Sequence, residues 1–290
     1  MRILITGASG IIGKKLIQKF NSTDHSIRIF SRKKKSDIQN TVEYFAGDIR
    51  SIESLEKATS RIDIIIHMAG VTHTHDQKLY YTVNFEGTKN ILLAAKKNLV
   101  KKFVFVSSRT ASINCGAYAH SKLLAERVVQ DSGMDWVIVR PSEVYGAGDS
   151  DAISHLIQNM KRGFFIPVMG SGKYILCPVY IDDVVDGIFA AATKNNIHNK
   201  IYVLGGPEKM TYINLIDRLE KIFQAKKIKI YIPLIFIRFL AFIFSILKIN
   251  VLVSDQIPRL TCDKPTDISE AVKDLNYKPR SFEDGIKLTL

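Results

Sequence analysis

Residues 1–13 read Met-Arg-Ile-Leu-Ile-Thr-Gly-Ala-Ser-Gly-Ile-Ile-Gly, and this stretch decides the fold. The apolar run Arg2–Thr6 predicts a short buried strand, and an apolar helical pattern begins near Ile11. The turn between them follows the spacing G-x-x-G-x-x-G, with glycines at Gly7, Gly10 and Gly13. Such a turn can simply close a strand onto a helix. In this strand–turn–helix context, however, it lets backbone N–H groups and the positive helix end face a pyrophosphate.

The cysteines are few and widely spaced, at Cys115, Cys177 and Cys262. No paired spacing indicates a disulfide or a metal site, so we expect neither, and we expect a reducing, cytoplasmic location. Because Met1 leads directly into the first strand, we expect no signal peptide.

The chain of 290 residues carries a formal net charge of +13. Basic clusters such as Arg32–Lys35 and Lys226–Lys229 indicate solvated loops, a polyphosphate ligand, an anionic membrane surface or nucleic acid. No basic stripe alternates with aromatic residues and no recognition helix is evident, so nucleic acid is not an expected partner.

Alternating apolar runs and helical patterns predict a parallel sheet in the first 140 residues. Candidate strands are 2–6, 26–31, 42–46, 62–67, 101–107 and 135–140. Helical patterns cover 11–21, 77–98 and 118–132. Shorter elements follow: helices near 151–162, 182–194 and 211–224, and strands near 178–181 and 200–204. We therefore divide the chain into a dinucleotide-binding domain, 1–140, and a mainly substrate-binding region, 141–290, that is interleaved with the sheet.

The segment Ile230–Leu247 is almost wholly apolar, and only Pro233 and Arg238 interrupt it. It is short for a membrane span, and a central arginine is costly in hydrocarbon. We expect a helix that is buried or faces a dimer partner. The alternative is an interfacial helix, 230–247, in peripheral contact with a membrane. Its lysine anchors would be Lys226, Lys227, Lys229 and Lys248.

Tyr118 and Lys122 lie four residues apart at the start of a predicted helix, so they share one face. A cation beside a phenol favours phenolate, and we expect the pair to lower the pKa of Tyr118 for acid–base catalysis. The preceding strand ends at Ser107 and Ser108, where a hydroxyl can hydrogen-bond a substrate oxygen. An ordinary surface pair is the simpler interpretation, but this position after the strand favours catalysis.

The ordered set of motifs resembles the extended short-chain dehydrogenase/reductases of the NAD-dependent epimerase/dehydratase family. The motifs are Thr6-Gly7-x-x-Gly10-x-x-Gly13, Gly47-Asp48, His67-x-Ala69-Gly70, Val83-Asn84-x-x-Gly87-Thr88, Phe105-Val-Ser-Ser108, Tyr118-x-x-x-Lys122, Arg140-Pro141…Val144-Tyr145-Gly146 and Tyr180-Ile-Asp-Asp183-Val. The resemblance implies an α/β fold of Rossmann type. It has a doubly wound parallel sheet and a smaller C-terminal α/β substrate region.

The resemblance also implies site residues. The expected catalytic residues are Ser108, Tyr118 and Lys122. The expected cofactor-binding residues are Gly7, Gly10, Ile11, Ile12, Gly13, Ser31, Arg32, Asp48, Ile49, Ala69, Gly70, Tyr118 and Lys122. Expected substrate contacts are Ser108, Thr110 and Glu143. Asn84 would tie the sheet to the catalytic helix, and no metal is expected.

The residues after the second strand bear on cofactor choice. An acidic residue there would accept hydrogen bonds from the adenine ribose hydroxyls of NAD, whereas this chain has Ser31-Arg32-Lys33. Because Arg32 could meet a 2′-phosphate, NADP is favoured over NAD.

Two positions depart from the nucleotide-sugar enzymes that the family contains. Glu143 replaces their usual asparagine, and Leu176 or a neighbour stands where an arginine often clamps the substrate diphosphate. A carboxylate and an apolar residue near expected phosphates favour a less polar or lipid-linked substrate.

The resemblance implies an NAD(P)-dependent epimerase or reductase that acts on a secondary alcohol or ketone of a sugar, in the first instance a nucleotide sugar. One alternative is an NADP-dependent reductase of a lipid-like or lipid-linked substrate at a membrane surface. Another is a non-catalytic nucleotide-binding protein, against which Ser108, Tyr118 and Lys122 argue. A homodimer through the helices that carry Asn84 and Tyr118 is also expected, as is a cytoplasmic location with membrane association as an option.

Overall fold

The computed structural model describes residues 1–33, 42–146, 152–249 and 251–289. Lys34 and Lys35 of the basic cluster lie outside the described residues. The described strands are β1 (Arg2–Thr6), β2 (Ser26–Ser31), β3 (Glu43–Ala46), β4 (Ile64–His67), β5 (Lys102–Val106), β6 (Asp135–Pro141), β7 (Val144–Tyr145), β8 (Phe165–Met169), β9 (Ile175–Leu176), β10 (Val179–Tyr180), β11 (Lys200–Leu204), β12 (Met210–Thr211) and β13 (Ile228–Ile232).

The described helices alternate with these strands. They are α1 (Ile11–Asn21), α2 (Ile52–Thr59), α3 (Gln77–Leu79), α4 (Glu86–Lys97), α5 (Ala117–Gln130), α6 (Ala152–Arg162), α7 (Ile181–Thr193), α8 (Tyr212–Ile222), α9 (Leu234–Ile246), α10 (Gln256–Thr261), α11 (Ser269–Leu275) and α12 (Phe282–Lys287). A π-helical segment, Tyr80–Phe85, joins α3 to α4.

A seven-stranded sheet in the order β11-β6-β5-β4-β1-β2-β3 forms the centre of the described protein. All of its pairings are parallel, and β1 lies between β2 and β4 with Leu4 opposite Arg28 and Ile65. The strand order reverses between β1 and β4, where a crevice opens at the carboxyl ends of the strands. This arrangement confirms the predicted Rossmann-type, doubly wound sheet.

Both faces of the sheet are covered, which explains the unbroken apolar strands. On one face α1 and α7 bury side chains such as Leu16 and Ile188. On the other face α2, α4 and α5 bury Leu55, Ala94 and Ala125. Each fully buried aliphatic side chain contributes roughly 1.5–3 kcal/mol, so these two layers hold the crevice rigid.

The region after Pro141 is not separate from the sheet. Strand β11 pairs with β6, and α7 packs on the same face as α1. The rest of this region has its own apolar cluster, formed mainly by α6, α8 and the short strands, with Leu156 and Leu219 fully or nearly fully buried. The division at residue 140 stays a prediction.

The helix predicted over 77–98 is confirmed, since the chain is helical from Gln77 to Lys97, with a π-helical turn at Tyr80–Phe85 between α3 and α4. One local prediction about a helix is wrong. The apolar segment 230–247 is not one helix, since it begins in β13, bends at Pro233 and continues as α9.

Helix α9 is not buried within this chain, so of the two expectations only a helix that faces a partner is left open. Only Ile237 and Ala241 are buried along α9, whereas Phe236 is 63% and Phe242 60% exposed. The periodicity of an apolar helix does not reveal what covers it, so the sequence could not decide this point. No described helix is long and apolar enough to cross a membrane.

The expectation of no disulfide is wrong as well. Cys115 and Cys262 are 147 residues apart in sequence, yet their Cα atoms lie 5.5 Å apart and their sulfurs are bonded. The loop before α5 meets the end of α10 only in the folded chain, so sequence spacing carried no signal of the pair. The cytoplasmic location, which rested partly on the cysteines, stays a prediction.

A buried chain of hydrogen bonds links the start of the crevice to α5. The Thr6 hydroxyl donates to His67 Nδ1 (2.6 Å), and His67 Nε2 donates to the Thr88 hydroxyl (3.0 Å). Thr88 donates to the Asn84 carbonyl (2.6 Å), which fixes these directions. Burial, aided by the charge of Lys122, lowers the pKa of His67 to about 3, so the ring is neutral and carries its proton on Nε2.

Asn84 completes this chain from the π-helical segment. Its amide accepts from Val71 N–H (2.7 Å) and donates to Val71 C=O (3.0 Å) and to the Ser121 hydroxyl (3.1 Å). Ser121 in turn donates to the Tyr118 carbonyl (2.7 Å). Asn84 therefore ties the sheet edge to the helix that carries Tyr118.

We expect Asn84→Ala to destabilise the protein, because buried groups of Val71 and Ser121 lose their partner. The cost is about 1–3 kcal/mol for each group left without a hydrogen bond. Urea unfolding measures it, with Asn90→Ala as the control, since the Asn90 amide makes only long surface contacts (3.3 and 3.4 Å). Equal losses for the two variants would contradict this role.

Candidate active site

The glycine turn between β1 and α1 has the shape that an anion needs. Gly10 caps α1 without a side-chain hydrogen bond, so the first backbone N–H groups of the helix face the crevice. Gly7 has φ +73°, and a Cβ there would lie 2.6 Å from Ala69 N. A Cβ on Gly13 would lie 2.6 Å from Ala8 Cα. Glycine is required at both positions, and the resulting cradle fits a pyrophosphate.

The crevice consists of two connected cavities that share Gly7, Ser9 and Gly70. The smaller has a volume of about 190 Å³ and lies at the ends of β2 and β3. Of the predicted residues, it is lined by Gly7, Ser31, Arg32, Asp48, Ile49, Ala69 and Gly70. The larger, of about 600 Å³, is lined by Gly7, Gly10, Ile11, Ile12, Gly13, Gly70, Ser108, Tyr118 and Lys122.

An elongated polar ligand fits this crevice. It spans the sheet edge from Arg32 to Lys122, past the glycine turn. The Ser107 hydroxyl lines the larger cavity, is nearly buried and has no hydrogen-bond partner. A bound group would satisfy it, as expected of a dinucleotide site. All the residues predicted to bind the cofactor are brought together here, although their individual roles stay predictions.

Lys122 lies buried at the floor of the larger cavity. Its ammonium donates to Val106 C=O (2.8 Å) and lies 4.1 Å from the centre of the Phe105 ring. Burial lowers the pKa of Lys122 to about 7, although Glu126 opposes this shift. The lysine is therefore held in place by the end of β5 and not by the phenol of Tyr118.

The environment of Tyr118 differs from the expected one. Burial raises the pKa of Tyr118, and the charge of Arg259 and a hydrogen bond with Ser108 only partly oppose this. Our expectation that Lys122 lowers this pKa is wrong, because the cation near the phenol is Arg259. The Ser108 hydroxyl also lies 2.9 Å from that of Thr110, so the three hydroxyls form one cluster.

Glu143 and Thr110, both predicted to contact substrate, do not line the two cavities. The Glu143 carboxylate accepts from the buried Arg109 guanidinium (2.6 and 2.7 Å) and from Cys177 N–H (3.0 Å). Lys264 Nζ lies 3.7 Å from it. These cations compensate its charge, and the prediction that Glu143 favours a less polar or lipid-linked substrate stays a prediction.

Asp48 lies at the far end of the smaller cavity and is fixed by Arg50. The guanidinium donates to the carboxylate at 2.7 and 3.0 Å. These hydrogen bonds, opposed by partial burial, lower the pKa of Asp48 to about 2. An ionised acid and two arginines, Arg32 and Arg50, thus border the end of the crevice.

Comparison with known proteins identifies the family. The model of the NAD dependent epimerase/dehydratase family matches residues 3–205. The chain belongs to this family. It is thereby an oxidoreductase-type enzyme that uses a nicotinamide cofactor.

The names of similar proteins indicate different substrates, namely nucleotide sugars and steroids. UDP-glucose 4-epimerase of Vibrio cholerae is 24% identical over 99% of this chain and 94% of its own. The 3-beta-hydroxysteroid dehydrogenase of Mycolicibacterium neoaurum is 28% identical over 66% of this chain and 60% of its own. UDP-glucuronic acid 4-epimerase of Bacillus cereus, solved with UDP-glucuronic acid and NAD, superposes with a TM-score of 0.80. It is 24% identical and covers 100% of this chain and 98% of its own.

Arg259 is a site residue that the sequence analysis missed, and it lies beyond the residues that match the family. Its guanidinium carbon lies 4.5 Å from the centre of the Tyr118 ring. It donates to Thr72 C=O (2.9 Å) and to the Tyr80 hydroxyl (3.4 Å). This is a cation–π contact, which requires the cation to lie within about 6 Å of the ring centre. Arg259 and Tyr118 are 141 positions apart in sequence, so no local pattern indicates the contact.

Asp255 contacts both Arg259 and the N-terminus of α5. Its buried carboxylate accepts from Ala117 N–H (2.5 Å) and Tyr118 N–H (3.4 Å), at the N-terminus of α5. It also pairs with Arg259 at 2.9 Å. Asp255 therefore caps α5 from a distant segment, and the Cys115–Cys262 disulfide fastens the same two elements.

We expect Arg259→Met to move the ascending, acidic limb of the pH–rate profile for alcohol oxidation to higher pH, because Tyr118 must be deprotonated to accept the proton. Removing a cation beside Tyr118 disfavours phenolate, and unpaired Asp255 acts with the same sign. Arg259→Lys keeps the charge and should retain most of the wild-type profile. Superimposable profiles for all three proteins would show that Arg259 does not influence the phenol.

Proposed function

We propose that this enzyme is an NAD(P)-dependent epimerase or reductase that acts on a secondary alcohol or ketone of a sugar. One observation carries the proposal. Ser108, Tyr118 and Lys122 line the same cavity as the helix N-terminus at Gly10 and the glycines Gly7 and Gly13. A non-catalytic nucleotide-binding protein would have no need for this set of acid–base groups.

The three side chains have distinct tasks in this proposal. Ser108 is hydrogen-bonded to Tyr118 and orients the substrate oxygen toward that phenol. Tyr118 exchanges a proton with that oxygen as the C–O bond changes between alcohol and ketone. Lys122 contacts the cofactor ribose from its buried position on Val106, and Arg259 supplies positive charge near the phenol. When bound, the nicotinamide supplies or accepts the hydride.

The names of the relatives favour a sugar over a steroid as the substrate. The Vibrio cholerae relative, a UDP-glucose 4-epimerase, aligns with nearly the whole chain, whereas the hydroxysteroid dehydrogenase aligns with two thirds of it. The same tyrosine-based chemistry serves both substrate types. The substrate region therefore decides between them.

We expect Tyr118→Phe to retain cofactor binding and to lose about 10²–10⁴-fold in turnover, because only the proton-transfer hydroxyl is removed. Tyr81→Phe is the matched control, since its hydroxyl contacts only His120 (3.1 Å) on the outer side of α5. Steady-state kinetics and fluorescence titration with NAD(P)H separate the two effects. Wild-type turnover by Tyr118→Phe would exclude this tyrosine from the mechanism.

We also propose NADP as the preferred cofactor. Arg32 borders the adenine end of the crevice together with Arg50, and Arg50 already pairs with Asp48. Arg32 has no such pairing among the described residues. A guanidinium in this position fits a 2′-phosphate bidentately. NAD, which occupies the Bacillus cereus epimerase structure, is the alternative.

Calorimetry should show tighter binding of NADPH than of NADH. Arg32→Ala should remove most of the difference, on the order of 1.5–3 kcal/mol for one charge-assisted contact. Lys57→Ala, a surface change in the exposed Glu53–Lys57 pair of α2, should leave both affinities unchanged. Equal wild-type affinities would exclude the NADP assignment.

A second candidate function is the reduction or epimerisation of a lipid-like or lipid-linked substrate at a membrane surface. The specific observation in its favour is the exposed apolar face of α9. The name of the hydroxysteroid dehydrogenase relative supports it as well. Membrane association of an otherwise cytoplasmic protein is part of this second candidate.

A homodimer through α4 and α5 is a separate proposal. Leu93 on α4 is exposed, and Leu123, Leu124 and Val128 on α5 are only partly buried. These side chains could pair with those of a second copy. A monomeric mass by light scattering at micromolar concentration would exclude it.

A further inference from the structure

A second cleft, of about 640 Å³, lies outside the dinucleotide crevice. Its walls are the end of β8, the turn that follows, and the chain after α10. Three lysines line it, Lys173, Lys209 and Lys264, against one acid, Asp263. The remaining polar groups are mainly hydroxyls, on Ser171, Thr261 and Thr266, with the Tyr174 phenol. Ammonium and hydroxyl groups without compensating carboxylates are the donors that a phosphate requires.

Two of the lysines, Lys173 and Lys209, are only weakly compensated by the described residues, and the pKa of Asp267 is lowered by hydrogen bonds from Ser269 and by the charge of Lys209. Lys173 and Lys209 make no side-chain ion pair or hydrogen bond to any described residue. Lys264 is almost completely buried, and its ammonium contacts the carbonyls of Arg259 (3.0 Å) and Leu260 (3.3 Å). Its only nearby anion, Glu143, is shared with Arg109. Because Lys264 is partly compensated by Glu143, Lys173 and Lys209 supply most of the positive charge that the cleft offers to an anion.

The cleft adjoins the catalytic helix through one short stretch, residues 259–264. Arg259, at one end of this stretch, lies over the ring of Tyr118. Thr261 and Lys264, at the other end, line the cleft. Cys262 between them is bonded to Cys115, just before α5. Residues 259–264 thus connect the cleft to the side chain that lies over Tyr118.

An exposed apolar surface starts at the rim of the same cleft. Leu234 lines the cleft and is the first residue of α9. Exposed side chains then follow in two rows along the helix, spaced as neighbours on one face. The first row is Ile235, Phe239, Phe242 and Ile246, and the second includes Phe236, Leu240 and Leu247. The surface continues onto β13 and β8, where Ile228 lies opposite Phe165 and both are exposed.

The charges around this surface favour an anionic bilayer over a second copy. Arg238 borders the apolar rows, and Lys226 and Lys248 flank them without an ion-pair partner among the described residues. Lys227 and Lys229, also expected as anchors, instead contact Gly163 C=O (2.7 Å) and Asp217 (2.6 Å). A second copy would bring together two chains of net charge +13, whereas an anionic surface attracts this charge.

We propose that the sugar reaches this enzyme linked to a prenyl diphosphate. The diphosphate occupies the cleft of Lys173, Lys209 and Lys264. The prenyl chain leaves past Leu234 along the exposed face of α9, which rests on an anionic membrane. The inference rests on the proposed sugar chemistry and names its substrate class. A nucleotide could fill the cleft, but it would leave the apolar surface that begins at the rim without a role.

Calorimetry with farnesyl diphosphate, inorganic pyrophosphate and UDP tests the site. We expect farnesyl diphosphate to bind at least tenfold more tightly than either of the others. Lys209→Gln should weaken both farnesyl diphosphate and pyrophosphate. Phe239→Ser should weaken farnesyl diphosphate alone, and Val272→Ser, an exposed apolar change on α11, should weaken neither. Equal or tighter binding of UDP, or no binding of any probe, would overturn the proposal.

Vesicle co-sedimentation tests the membrane part. The protein should bind phosphatidylglycerol vesicles, bind phosphatidylcholine vesicles at least fivefold less, and lose binding in high salt. Phe239→Ser should reduce binding severalfold. Absence of vesicle binding, or a dimeric wild type that Phe239→Ser turns into a monomer, would overturn it.

Tyr118→Phe separates this inference from the proposed catalysis. Its affinity for farnesyl diphosphate should equal that of the wild type, because the cleft does not include the phenol. If Tyr118→Phe retains turnover, the catalytic proposal fails while the binding result stands. If turnover is lost as expected but UDP is preferred over farnesyl diphosphate, only the substrate class fails.

Discussion

The neutral state of His67 is the constraint on which the active site depends. An imidazolium would donate from both nitrogens, so Nδ1 could no longer accept the Thr6 proton and the first hydrogen bond would have to reverse. In the neutral form, the chain fixes both the glycine turn after β1 and the helix that carries Tyr118. The links are, in order, the side chains of Thr6, His67 and Thr88 and then the backbone carbonyl of Asn84, whose side-chain amide donates to Ser121. The two halves of the site are therefore positioned by one set of buried residues.

The sequence predicted the part of the fold that local patterns specify. Strands β1 and β2 and helix α1 have the predicted bounds, because their apolar runs end at clear turn residues such as Gly7. The glycine turn and the Tyr118–Lys122 spacing depend on residues close in sequence. For that reason the crevice and most of its lining could be predicted, although the pKa of Tyr118 could not.

What the sequence could not reveal depends on contacts between distant segments. Asp255 and Arg259 reach α5 from the far end of the chain, and Cys262 reaches Cys115 across 147 residues. Neither pairing leaves a periodic or motif signal. The same limit applies to α9, whose composition is that of a buried helix. Its exposure is seen only in the folded chain, where Ile237 and Ala241 are the buried residues of α9.

The most direct test of the account is a single-turnover measurement on protein loaded with the oxidised cofactor that it binds more tightly. UDP-glucose and a prenyl diphosphate-linked glucose are added separately, and absorbance at the wavelength of reduced nicotinamide is followed. We expect the wild type to reduce its cofactor with at least one of these sugars, and Tyr118→Phe to reduce none. Cofactor that stays oxidised in the wild type with both sugars, or that is reduced equally in Tyr118→Phe, would contradict it.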